Sequence, residues 1–141
     1  MECIAPLGKV YQAGTLSGNP VAMIAGYTLL KELKNNPSIY SELNEKTVLL
    51  KKRMVEVFEN NKIPVQINQL GSMISVHFTK EPVVDFASSA RCELDRFRLF
   101  FHHMLQAGIY LPPSAFESWF LNNALSADDI NKTVEAVASF K

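Results

Sequence analysis

Two cysteines in 141 residues, Cys3 and Cys92, are too few and too far apart for a disulfide framework or a CxxC metal site. Long apolar runs are also missing. No stretch approaches the roughly 18 residues that a membrane-spanning helix needs. The opening MECIAPLGK has no basic region followed by an apolar core, so it does not read as a signal peptide. These absences lead to an expectation of reduced thiols in the cytoplasm and of no membrane partner. Excess charge of either sign is lacking too: 14 Lys+Arg stand against 14 Asp+Glu. A nucleic-acid partner would need a basic patch or stripe, so none is expected. HExxH, GxSxG and a Ser/His/Asp order are absent. His102 and His103 are neighbours, pointing about 100° apart on a helix, and do not converge on a metal. No metal site is expected, and the three histidines read as surface or half-buried groups.

What the chain does have is concentrated at residues 10–20, VYQAGTLSGNP. Two glycines, a Thr and a Ser are followed at once by an Asn-Pro step and a helical pattern. Asn caps a helix, and Pro at the first helical position gives up an N–H that would otherwise go unpaired. Such a loop presents N–H groups and hydroxyls at a helix N-terminus, a place that holds an anion, typically phosphate; the bland alternative is a simple turn. No Lys-Ser/Thr pair follows the second glycine, so this is not a nucleotide P-loop. A cofactor phosphate suits it better than a nucleotide triphosphate.

The remaining pattern predicts a small α+β layer in the order helix, helix, strand, strand, helix, strand, helix. The first helix starts at Asn19-Pro20 and ends near Asn36. The second starts at Pro37 with Asn36 as its cap, and carries Leu43, Leu50, Met54, Val57 and Phe58 as its apolar stripe. Val65 and Ile67, then Ile74, Val76 and Phe78, alternate as two strands across a turn at 68–72. Residues 80–89 read as a connection. A third helix covers about 92–107 with Leu94, Phe97, Phe101, Met104 and Leu105 on one side and Gly108 beyond it. Ile109-Tyr110-Leu111 reads as a short strand stopped by Pro112-Pro113. A final helix runs from about 127 to 140, with the Ser-x-x-acid spacing of Ser126 and Asp129 at its start.

Residue types alone leave alternatives open elsewhere. Tyr11 can stack on a planar ligand or fill a core edge, and its type favours the core. Glu117, in SAFESWF, sits among three aromatics. It is either a surface carboxylate, which spacing favours, or a pocket group suited to an amine or a proton.

Several separated motifs together are more specific than any one of them. MECIAPLG, VYQAGTLSGNP, Gly71-Ser72-Met73, the FFHHML of residues 100–105 and the GIYLPPSAFESWF of residues 108–120 follow in one order. In that order they resemble the glutamate-1-semialdehyde 2,1-aminomutases, within the class III aminotransferases that use pyridoxal 5'-phosphate (PLP). The resemblance covers the whole chain. It implies the C-terminal small domain of the aspartate-aminotransferase-like fold, with helices packed on a short, mostly antiparallel three-stranded sheet. It divides the chain into a phosphate-binding or interface loop (1–18), a linking helix (19–36) and the small α+β domain (37–141). It implies conversion of glutamate-1-semialdehyde to 5-aminolevulinate for tetrapyrrole synthesis, by a homodimer whose active sites draw on both subunits. By motif position Gly14 and Thr15 would reach a PLP phosphate held by the neighbouring subunit. Tyr11 and Gln12 would line the same pocket, and Glu117 would lie near the substrate.

The resemblance further implies that the Schiff-base lysine and the acidic partner of the pyridine nitrogen lie upstream, in a large domain not represented here. No lysine of this chain stands in such a context, so the chain alone is expected to be inert. Asn122 and Leu125 depart from a Ser and a His usual in the pattern, and Pro112 and Lys9 are lesser departures. Two rivals stay open: another class III aminotransferase, and a non-catalytic module dimerising through a helix at 21–33.

Overall fold

The computed structural model describes residues 2–141. It divides into two compact units, Met1–Pro37 and Ser38–Lys141.

In the first unit, residues 3–10 close into a loop through Ala5 N–H to Val10 O (2.8 Å) and Val10 N–H to Cys3 O (2.9 Å). Helix α1, Pro20–Asn35, comes next, with Asn19 as its N-cap and Pro20 at its start. Its end corrects one expectation. The Asn36 N–H bonds to Glu32 O, and the Asn36 side-chain amide donates to Glu32 Oε1 at 2.7 Å. Asn36 therefore closes α1 rather than opening the next helix. No residue of α1 is buried.

The second unit begins with α2, Ser38–Asn60, whose buried residues Thr47, Leu50, Met54 and Phe58 fall at helical spacing. Thr47 is polar but satisfied, donating to Leu43 O at 2.7 Å. Strands β1 (Gln66–Leu70) and β2 (Met73–His77) form an antiparallel hairpin in which Leu70 faces Met73. Pairing continues further than the sequence suggests, and the turn shrinks to Gly71-Ser72. Gly71 has φ +57, the left-handed conformation that the first position of a tight two-residue loop requires.

Within residues 80–89, read as a plain connection, lies the one-turn helix α3, Phe86–Ser89, closed by a reciprocal capping box between Asp85 and Ser88. Helix α4 spans Leu94–Gln106. It buries Phe97, Phe100 and Met104, so the inward face is rotated toward Phe100, while Leu94 and Leu105 stay exposed.

The third strand is the main correction. Residues 109–111 are not a strand: Ile109 N–H turns back to Met104 O at 2.8 Å, and Pro112 and Pro113 have no N–H to offer a ladder. Instead β3 is Trp119–Phe120, antiparallel to Met73–Ile74, with Leu121 N–H continuing to Ser72 O at 3.0 Å. The sheet order is β1-β2-β3. Helix α5, Ala127–Ser139, completes the unit, and its Ser126/Asp129 capping box is the one the sequence predicts.

Ile67, Ile74 and Val76 point from the sheet into a core shared with Leu50, Met54 and Phe58 of α2 and Val134 and Val137 of α5. Phe100 sits at its centre, with ring centroids 5.2–5.8 Å from those of Phe140, Phe78 and Phe58 and 6.3 Å from Trp119. Full burial of one such side chain stabilises by about 1.5–3 kcal/mol, so this cluster anchors the unit. The α2 and α5 ends are tied where the Asn61 amide donates to Ala138 O and Phe140 O at 3.1 and 3.2 Å. The other sheet face is polar: Asn68 donates to Val83 O at 2.8 Å, and the hydroxyls of Ser75 and Ser118 bond at 2.9 Å.

Candidate functional site

The loop before α1 is two consecutive turns. Ser17 N–H donates to Gly14 O at 2.9 Å, closing 14–17, and Asn19 N–H donates to Leu16 O at 3.1 Å, closing 16–19. Gly18, with φ +76, takes the left-handed corner of the second turn. At Gly14 a Cβ would come within 2.6 Å of Ser17 Oγ, so the bare Cα lets the serine hydroxyl fold over it.

The helix end itself is already satisfied. Asn19 Oδ1 accepts from Val21 N–H (3.0 Å) and Ala22 N–H (3.1 Å), Met23 N–H reaches Asn19 O, and Pro20 has no N–H. The expectation that the α1 N-terminus offers donors to an anion is therefore corrected, because its cap has used them. The free donors lie upstream. Among the described residues, neither the Thr15 hydroxyl nor the backbone N–H groups of Gly14 and Thr15 hydrogen-bond to another group. These donors are exposed and adjacent, a set that suits a phosphate.

Tyr11 and Gln12 lie on the same exposed segment. Tyr11 is 83% exposed, so the core placement favoured by its residue type does not hold. Tyr11, Gln12, Gly14 and Thr15 all belong to the first unit, and Glu117 to the second.

Glu117 is exposed. Its Oε2 accepts Ser114 N–H at 3.1 Å, its own N–H donates to Ser114 O at 3.1 Å, and Phe116 N–H donates to Ser114 Oγ at 3.2 Å. The adjoining Phe116 ring lies 5.4 Å from that of Phe86.

Elsewhere the titratable groups are structural. His77, expected at the surface or half-buried, is only 8% exposed. Burial lowers its pKa below the ordinary 6.5. The Ser88 hydroxyl and N–H hold the Asp85 carboxyl below its usual range, and the Ser126 hydroxyl and N–H do the same for Asp129. Asp85 is the N-cap of α3, and Asp129 is the partner of the Ser126 cap in the first turn of α5. Burial raises the pKa of the Cys92 thiol, which makes it a poor nucleophile. Among the described residues no group of three or more His, Cys, Asp or Glu side chains is placed to hold a metal ion. None of the ten lysines is buried.

The two larger departures from the motif pattern, Asn122 and Leu125, have local roles. Asn122 Oδ1 accepts the N–H groups of Ala124 and Leu125 at 3.0 and 3.2 Å, forming a turn. Leu125 packs on the core and, with Leu50, Trp119 and Ile130, lines an apolar cavity of about 380 Å³. Sequence patterns gave no signal for this cavity, because it forms between elements distant in the chain.

The sequence profile described as Aminotransferase class-III matches residues 1–137. The chain belongs to the class III aminotransferase family. It is 49% identical to a glutamate-1-semialdehyde 2,1-aminomutase of Flavobacterium johnsoniae over 97% of this chain and 32% of that protein. Other aminomutases so named match at 44–47% identity, and the chain spans about a third of their length as well. Among solved structures, a β-phenylalanine aminotransferase from Variovorax paradoxus superposes with a TM-score of 0.81 at 28% identity, covering 94% of this chain and 30% of that one. A transaminase with PLP bound shares the fold at 18% identity, with a TM-score of 0.75 over 95% of this chain and 30% of its own. The α+β architecture seen here is shared with the matched part of these structures.

Proposed function

We propose that this chain is the small α+β domain and phosphate-side loop of a PLP-dependent aminomutase that converts glutamate-1-semialdehyde to 5-aminolevulinate, a tetrapyrrole precursor. The observation that supports this most is the 49% identity to a named aminomutase, sustained over 97% of the chain. The proposed setting is a cytoplasmic homodimer.

In this reading Gly14 and Thr15 hold the cofactor phosphate. Their hydroxyl and N–H groups are exposed and unused by the chain, and the turn at 14–17 fixes their directions before any ligand arrives. When bound, PLP supplies the electron sink that lets an amino group move between neighbouring carbons. Tyr11 and Gln12 border the phosphate position, and the segment bearing Glu117 faces the substrate.

The chain by itself is proposed to be inert. A lysine that holds the cofactor covalently must be a nucleophilic free amine, which enzymes secure by desolvating it or placing it beside another cation. The lysines here are exposed or half-buried, and Lys46 Nζ is occupied by Leu125 O (2.6 Å) and Asn123 O (3.3 Å).

Two measurements test the reading. A protein containing this chain together with a lysine-bearing PLP domain is expected to form 5-aminolevulinate without an external amino donor. A requirement for such a donor would instead make it another class III aminotransferase, the alternative that the β-phenylalanine aminotransferase likeness favours. The chain alone, mixed with PLP and borohydride, is expected to show no single modified lysine by mass spectrometry. One lysine labelled stoichiometrically would refute inertness.

A further inference from the structure

Glu117 is the one carboxylate in an aromatic-rich segment, and its acceptor is already engaged. Three hydrogen bonds converge on residues 114–117: Ser114 N–H to Glu117 Oε2, Glu117 N–H to Ser114 O, and Phe116 N–H to Ser114 Oγ. The carboxylate reaching back to the Ser114 N–H is the acidic half of a capping box; the Ser114 hydroxyl serves the Phe116 N–H instead. Among the described residues no Lys, Arg or His ion-pairs with this carboxylate.

Residues on and just after the turn have fixed partners. The Ser118 hydroxyl meets Ser75 at 2.9 Å. Trp119 is paired with Ile74 and buried against Phe100. Phe116 lies against Phe86. Strand β3 is only two residues long, so its own ladder fixes its approach weakly. The preceding turn must supply the rest.

We propose that Glu117 is a positioning residue: its carboxylate clasps the 114–117 turn and thereby sets Ser118 against Ser75 and Trp119 in the β2–β3 register. It acts as a hydrogen-bond acceptor toward its own backbone, not as a proton donor. The consequence for catalysis rests on the reading that this segment faces substrate; the clasp does not, so it is tested on the ligand-free chain.

In the ¹⁵N-labelled chain, the Ser114 amide resonance is expected to follow protonation of the Glu117 carboxylate as the solution is acidified. In Glu117→Gln the side-chain carbonyl still accepts the Ser114 N–H, so the amide stays protected while its pH response disappears. In Glu117→Ala the Ser114 amide loses protection about five- to tenfold, the worth of one ordinary hydrogen bond, and the Ser118 and Trp119 amide signals shift with it. A wild-type Ser114 amide indifferent to acidification would overturn the clasp without any variant having to fold. Ala behaving as wild type, or Gln failing as Ala does, would overturn it as well. A failed aminomutase assay would leave these results untouched, so the two readings fail separately.

Discussion

Helices α1 and α5 start alike and are used differently. Each opens on a side-chain cap, Asn19 for α1 and Ser126 for α5. In α5 the apolar residues Ile130, Val134 and Val137 fall on one side and are buried. In α1 the apolar residues Val21, Met23, Ile24, Tyr27 and Leu30 spread over about half of the helix circumference, and all five are exposed. A stripe becomes a core only when another element of the same unit lies against it. In the second unit α2 and α4 lie against α5; the first unit has only a loop and one helix. Local signals start a helix, and packing decides what it is worth.

The largest way to sharpen this contrast is Phe100→Ala. Phe100 is fully buried amid Phe58, Phe78, Phe140 and Trp119, so the change should cost about 3–5 kcal/mol, read as a lower urea midpoint. A smaller effect belongs to His77. The unfolded histidine takes up its proton near 6.5, whereas burial delays this in the folded state to lower pH. Between the two values the unfolded state binds more protons, so stability falls as pH drops below 6.5. Asp85 and Asp129 add their own loss at lower pH, as their depressed carboxyls protonate. His77→Gln should flatten the upper part of that decline in denaturation curves that start at pH 7 and run below the ordinary carboxylate range, leaving the carboxylate part in place. The smallest expected effect is Ile24→Ala in α1, within about 0.5 kcal/mol for an exposed side chain. A cost near that of Phe100→Ala would break the comparison, because Ile24 would then have to be buried in solution.

Much of this architecture is legible from local signals. The helix starts at Asn19-Pro20 and Ser126, the alternating strands and the helix stop at Gly108 depend on neighbours within a few residues, and they appear where they were expected. Strand β3 was not legible. Residues 109–111 look like a strand by composition, but a strand exists only if an edge is free beside it and every N–H can reach it. Two prolines remove the donors after Leu111, and Trp119 has the edge of β2. Phe100 was missed for a similar reason. Two adjacent phenylalanines in a helix cannot be ranked until the direction of the core is known.

The candidate site divides the same way. Gly14 and Thr15 come from motif position, and the sequence alone also shows that Asn19-Pro20 caps the first helix. Only the folded loop shows that the cap uses up the α1 donors and leaves those at Thr15 free. The residues of this chain by themselves determine its family and the starts of α1 and α5, because these depend on short-range spacing. Tertiary structure alone decided which strand completes the sheet, which face of α4 is buried and that the Glu117 carboxylate bonds back to Ser114. Each of these needs partners that come together only when the chain folds.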